Sequence, residues 1–156
     1  MKEVFWHSIK IVFFTFLILV LQIAVLKEIT DLSINLPLIA VISIASFSNL
    51  STSLYSTGLL VIAISLLSYN NHVYWDYLLL AFVVNQFNPK NLSDKFLVAA
   101  FYCIVFSPIF ELIYAPSQEA FLDKCISVTL INLATLIPVY FVLKLGLSIK
   151  KRELYT

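Results

Sequence analysis

The chain has 156 residues, of which 61% are hydrophobic and 12% charged, with a mean hydropathy of +0.96 and a formal net charge of +1. A soluble domain of this length carries about 25% charged residues, so the composition excludes an ordinary water-soluble fold. The near-zero charge also removes nucleic acid as a partner, and two glycines with five prolines exclude a collagen-like or low-complexity chain.

A bilayer-crossing helix needs about 20 residues, within a range near 17–25. On that measure the chain reads as an all-α, polytopic transmembrane helical bundle of six spans in one domain. The first span, 9–26, carries Gln22 near its end. The second, 36–50, opens on Pro37, a residue suited to a first helical turn. The third, fourth, fifth and sixth occupy 55–68, 73–87, 96–114 and 125–147. Spans two to four are short in apolar residues alone, and polar Ser, Thr, Asn and Tyr flanks extend them into the headgroup region. The joints at 51–54, 69–72, 88–94 and 115–124 lie among turn-forming pairs such as Asn70-Asn71, Asn88-Pro89 and Ala115-Pro116. The first span has the basic flank of a signal peptide, but no small-x-small pair precedes a cleavage point, so it reads as a retained helix.

Lysine and arginine placement gives the orientation. With six spans and the N-terminus inside, eight basic residues face the cytoplasm: Lys2, Lys10, Lys90, Lys95, Lys144, Lys150, Lys151 and Arg152. Only Lys27 and Lys124 face outward, which predicts an N-in, C-in topology. Tyr69, Tyr74, Trp75, Tyr77 and Tyr114 would form an outer aromatic belt, with Trp6 and Tyr55 at the inner face.

A search for chemistry yields little. His7 and His72 fall on opposite faces, so they offer neither a metal pair nor a Ser–His dyad. No pair of intramembrane aspartates is present, and Gly58 and Gly146 alone make no phosphate loop. Cys103 and Cys125 lie in apolar runs and read as small buried hydrophobes rather than a disulfide. The sequence calls for no cofactor, no metal and no catalytic residue.

What remains is a set of polar groups inside the spans, each with two readings. Glu111, near Pro108 and one turn from Tyr114, is either an interfacial carboxylate reaching water or a buried contact for a partner or a proton. Gln22, Thr129, Asn132 and Thr135 lie deeper, as glue within the bundle or as a docking face for a partner's helix. Ser43, Ser46 and Asn49 recur at spacing three and suit close helix approach, within the bundle or against a partner. Lys144 is placed to snorkel to the cytoplasmic face.

The order of these features resembles the family of rod shape-determining protein MreD. The resemblance rests on Leu21-Gln22 closing the first span, Pro37 opening the second, and Gly58 in the third. It continues with an aromatic-rich turn into the fourth, Asn132 and Pro138 in the last span, and the basic tail Lys150-Lys151-Arg152. An acidic residue that the family often carries at the end of the third helix is replaced here by the stretch Ser65 to Ser68. The resemblance implies a non-enzymatic inner-membrane scaffold of the cell-elongation machine. Its implied partners are membrane lipids and a single-span protein like MreC, with the filament MreB, the synthase RodA and its transpeptidase beyond. A different class, the substrate-binding membrane subunit of an energy-coupling-factor vitamin transporter, is also a small six-helix protein. Its first helix usually shows alanines at spacing four, whereas Ala24 stands alone here. A lipid or proton transporter would need more intramembrane charge than this chain has.

Overall fold

The computed structural model describes residues 2–22, 34–67, 75–87, 95–114 and 121–147. Six α-helices account for nearly all of them: α1 Lys2–Val20, α2 Leu36–Phe47, α3 Leu50–Leu67, α4 Trp75–Gln86, α5 Lys95–Tyr114 and α6 Phe121–Leu147. No strand occurs among the described residues. α1 runs on into a π turn at Leu21-Gln22.

The helices correspond to the six apolar runs of the sequence, with shifted ends. The joint expected at 51–54 is instead the pair Ser48-Asn49, and Ser51 to Leu54 form the first turn of α3. The cause is a cap. The Asn49 side chain accepts from the Thr52 N–H at 2.9 Å, which satisfies an orphan donor and starts the helix there. Asn49 therefore caps α3 and does not extend a stripe along α2. α6 begins at Phe121, a turn before the expected Cys125. α5 and α6 continue through Pro108 and Pro138.

Successive helices run in alternating directions. Asn132 of α6 and Tyr77 of α4 meet Asn35 at the start of α2, while Tyr140 of α6 and Asn85 of α4 meet the end of α2. α2, α4 and α6 are therefore parallel. α5 runs against them, with Phe96 against Tyr140 at one end and Phe110 against Tyr77 at the other. α1 rises from Phe14, beside Gly146, to Gln22, beside Leu36. α3 follows α2 through a two-residue turn and packs back along α1, α2 and α4. The start of α1 and the end of α6 thus share one end of the bundle.

α2 is the centre. It packs against each of the other five helices, and every residue from Leu36 to Ser46 is buried. An apolar-all-round helix is what such a position demands, because no face of it meets a polar environment. Leu38, Ile39, Ile42, Leu80, Val84, Leu136 and Leu143 fill the space around it. Cys103 and Cys125 are both free and buried, as their apolar settings predict.

The outside of the bundle is apolar too. Phe13 and Phe16 on α1, Leu66 on α3, Leu79 on α4, Phe101 on α5, and Leu130 and Leu145 on α6 are all exposed. Among the described charged residues, Lys10, Lys95 and Lys144 lie toward the end that carries the start of α1. Asp76, Glu111, Asp123 and Lys124 lie toward the other. Two helices, 95–113 and 122–147, are long and apolar enough to cross a membrane; 9–18, 36–47 and 50–66 are shorter apolar segments.

Candidate functional site: the polar anchors of the central helix

At 12 residues α2 is about 18 Å long, with its start buried and its end half-buried among the neighbouring helices. A helix exposes orphan N–H groups at its start and orphan C=O groups at its finish, and away from water each needs a partner. The N-terminal donors are all accounted for. The Leu36 N–H donates to Gln22 Oε1 at 2.8 Å, across from α1. Pro37 has no N–H to satisfy, the Leu38 N–H donates to Asn35 Oδ1 at 3.0 Å, and Ile39 N–H makes the first helical bond, 3.2 Å to Asn35 O.

Asn35 itself is held from two sides. Its N–H donates to Asn132 Oδ1 at 3.0 Å, and its Oδ1 also accepts from the Tyr77 hydroxyl at 3.1 Å. Asn132 then turns its Nδ2 to Ser107 Oγ at 3.1 Å, and Ser107 lies 3.7 Å from Cys103 Sγ. One buried amide thus connects α2, α5 and α6, with α4 joined through Tyr77. At the other end, Asn85 Nδ2 donates to Ser48 O at 3.0 Å and Ala45 O at 3.3 Å, and Ser48 N–H closes on Ile44 O at 2.9 Å. α2 is pinned at both ends by amide side chains from its neighbours.

This geometry shows how several of these residues are used within the bundle. Asn132 has no exposed surface, and both ends of its amide are used within the bundle. Within the bundle it serves as glue between α2, α5 and α6. Ser43 and Ser46 are likewise buried, their hydroxyls returned to Ile39 O and Ile42 O at 2.7 Å. Thr129 and Thr135 are half-buried and bond back to Cys125 O and Ile131 O at 2.7 and 2.8 Å. Gln22 belongs to the anchor set. Tyr77, expected in the outer aromatic belt, is buried on Asn35, whereas Trp75 and Tyr55 are exposed. Tyr69 and Tyr74 lie outside the described residues, as do the side chains of Trp6 and Tyr114.

Glu111 pairs with Lys124 Nζ at 2.7 Å and joins α5 to α6 near the end opposite Lys144. Its carboxylate is largely buried while its lysine partner is partly exposed. Lys144 is exposed and its Nζ lies 5.5 Å from the Tyr140 ring centroid.

Sequence reasoning missed Asn35, Tyr77, Asn85 and Ser107. Asn35 carried a readable signal, since an Asn two residues before Pro37 is a helix cap with a proline in the first turn. The reach of Asn85 and Ser107 to other helices had no local signal. No family model matches the chain, nor does any curated protein or solved structure.

Proposed function

We propose that the chain is a multi-pass bacterial inner-membrane protein, crossing six times with both termini in the cytoplasm, and that it works as a non-enzymatic scaffold of the cell-elongation machinery. The observation that carries the membrane part is the distribution of polarity. Large apolar side chains cover the outside, charges gather toward the two ends, and the hydrogen-bonding amides lie in the middle of the bundle. A soluble protein seldom exposes an apolar patch beyond a few hundred Å², so such a surface fits lipid. The short α2 fits as well, because a helix that ends within the membrane is tolerated when protein encloses it. The scaffold part is supported by the run of features that resembles MreD, and by a structure whose described residues are chiefly packed helices.

With Asn132, Ser43 and Ser46 turned inward, contact with a single-span partner falls to the outer helix faces, the connecting turns and the tails. Two experiments test the proposal. Reporter fusions after Lys90 and Arg152 should read cytoplasmic, and fusions after Asn71 and Gln118 should read external. A C-terminus labelled from outside would refute six spans. Depletion should round or swell rod-shaped cells, and the chain should co-purify with an MreC-like single-span protein. Vitamin auxotrophy with normal shape would replace the scaffold with the transporter subunit.

A further inference from the structure

We infer that a single structural water is bound between α1, α2 and α3 and staples α1 to the rest of the bundle. The site is a small, partly enclosed cavity of ≈ 10 Å³, measured as space for a water's centre, which is room for about one molecule. α1 contributes Thr15, α3 contributes Ser56 and Thr57, and α2 closes the site with Ala40, Val41 and Ile44.

Thr57 points to the occupant. It is 2% exposed, and its Oγ1 makes no hydrogen bond to a protein group among the described residues. A buried hydroxyl without a partner is a costly arrangement in a nonpolar setting, and a cavity at its side supplies the remedy. Ser56 is also buried and directs its hydroxyl hydrogen to the carbonyls of Thr52 and Ser53, which leaves its Oγ lone pairs as acceptors. Thr15 adds a third hydroxyl from across the gap. Three hydroxyls match the two to four partners a buried water needs.

The chemistry favours water over a cation of similar size. The residues lining the cavity include no carboxylate, and a bare cation among Val41, Ile44 and Leu60 would lack compensating charge. A purely apolar occupant would leave Thr57 unanswered. The water adds hydrogen bonds to a place where α1 otherwise packs on α2 and α3 through apolar side chains such as Ile18. α1 meets α6 through the ring of Phe14 at Gly146 and meets α2 through Gln22, and the cavity lies between those two points.

The test is a set of substitutions read by thermal unfolding of the full chain in detergent and in bicelles. Thr57→Val removes the hydroxyl at nearly constant volume, Thr57→Ser keeps it, and Ala40→Val fills the cavity. With water bound, Thr57→Val lowers Tm by roughly 3–6 °C and Thr57→Ser stays close to wild type. Ala40→Val is also destabilising, and adding Thr57→Val to it costs no further stability, because the water is already gone. A Tm for Thr57→Val at or above wild type, or Ala40→Val that stabilises the protein, overturns the inference, since both describe a dry cavity. Tm that rises in sodium but not potassium or choline, and loses that dependence in Thr57→Val, overturns water in favour of a cation. If Thr57→Val fails to fold, the Ala40→Val and Thr57→Ser measurements still decide the matter.

Discussion

Asn132→Leu is the sharpest probe of how this bundle is held together. Leucine is close enough in size to keep the packing, so the loss is confined to hydrogen bonds. The substitution leaves the Asn35 N–H without its acceptor and removes the donor to Ser107. Between helices in a membrane such bonds average about 0.6 kcal/mol each, with a maximum near 1.7 kcal/mol. Two bonds therefore set the loss at roughly 1–3 kcal/mol, the upper part applying because one stranded group is a backbone donor at the start of a helix. For a chain of this size that lowers Tm by roughly 3–9 °C. The assay is thermal unfolding of the purified protein with Asn132→Leu, Ser107→Ala and the double variant. The double variant should be more stable than the sum of the two single losses predicts, by at least about 0.5 kcal/mol, since the two residues share one bond. Strict additivity, or an unchanged Tm for Asn132→Leu, would refute the network. Co-purification of a partner should survive the substitution, because Asn132 is wholly buried.

Three further outcomes follow from the same contacts. Asn85→Leu releases Ala45 O and Ser48 O at the far end of α2 and should lower Tm by roughly 2–5 °C in the same assay. Reversing one member of the Glu111–Lys124 pair places like charges together, so Glu111→Lys should reduce stability, and the exchange Glu111→Lys with Lys124→Glu should recover at least half of the loss. The absolute effect stays near or below about 1 kcal/mol because Lys124 is partly exposed. Gly146→Ala would drive a methyl group into the Phe14 ring, at an overpacking cost of about 1–3 kcal/mol, and Phe14→Leu in the same chain should relieve part of it. A Gly146→Ala protein as stable as wild type would show that α1 can withdraw from α6 freely.

The described helices were legible in the sequence, and the six of them match six apolar runs separated by turn residues. Boundaries were less legible where capping outweighs hydropathy. Leu50 looks apolar enough to belong to α2, yet Asn49 claims the Thr52 N–H and begins a new helix. The interior position of α2 was also hidden. A run such as Leu36 to Ser46 is apolar on every side, and in lipid that composition describes a core helix and a lipid-bathed one equally well, since hydrocarbon tails are as apolar as leucine. Asn132 was visible as a deep polar group, and the sequence could not say whether it turned inward or outward. Its partners lie 97 positions away at Asn35 and 25 away at Ser107, beyond the reach of any local pattern.

That limit has a physical consequence for reading bundles of this kind. In water, the hydrophobic pattern says which face of a helix turns inward; here both faces are apolar and the few polar side chains carry the information instead. An amide that lipid cannot satisfy must turn toward protein or water, so Asn132, Asn85 and Gln22 mark inward faces of α6, α4 and α1. Each of them meets a terminus of α2, and Asn132 also reaches Ser107 on the side of α5. Helix termini are the places where a membrane bundle has backbone groups left to satisfy, whereas helix sides have none. Three amides on three helices converging on one 12-residue segment therefore identify that segment as short and enclosed. The outward faces of α5 and α6 carry exposed large apolar side chains, and on the proposed scaffold reading they would meet lipid or a partner's apolar helix, with specificity coming from shape, the turns and the charged ends.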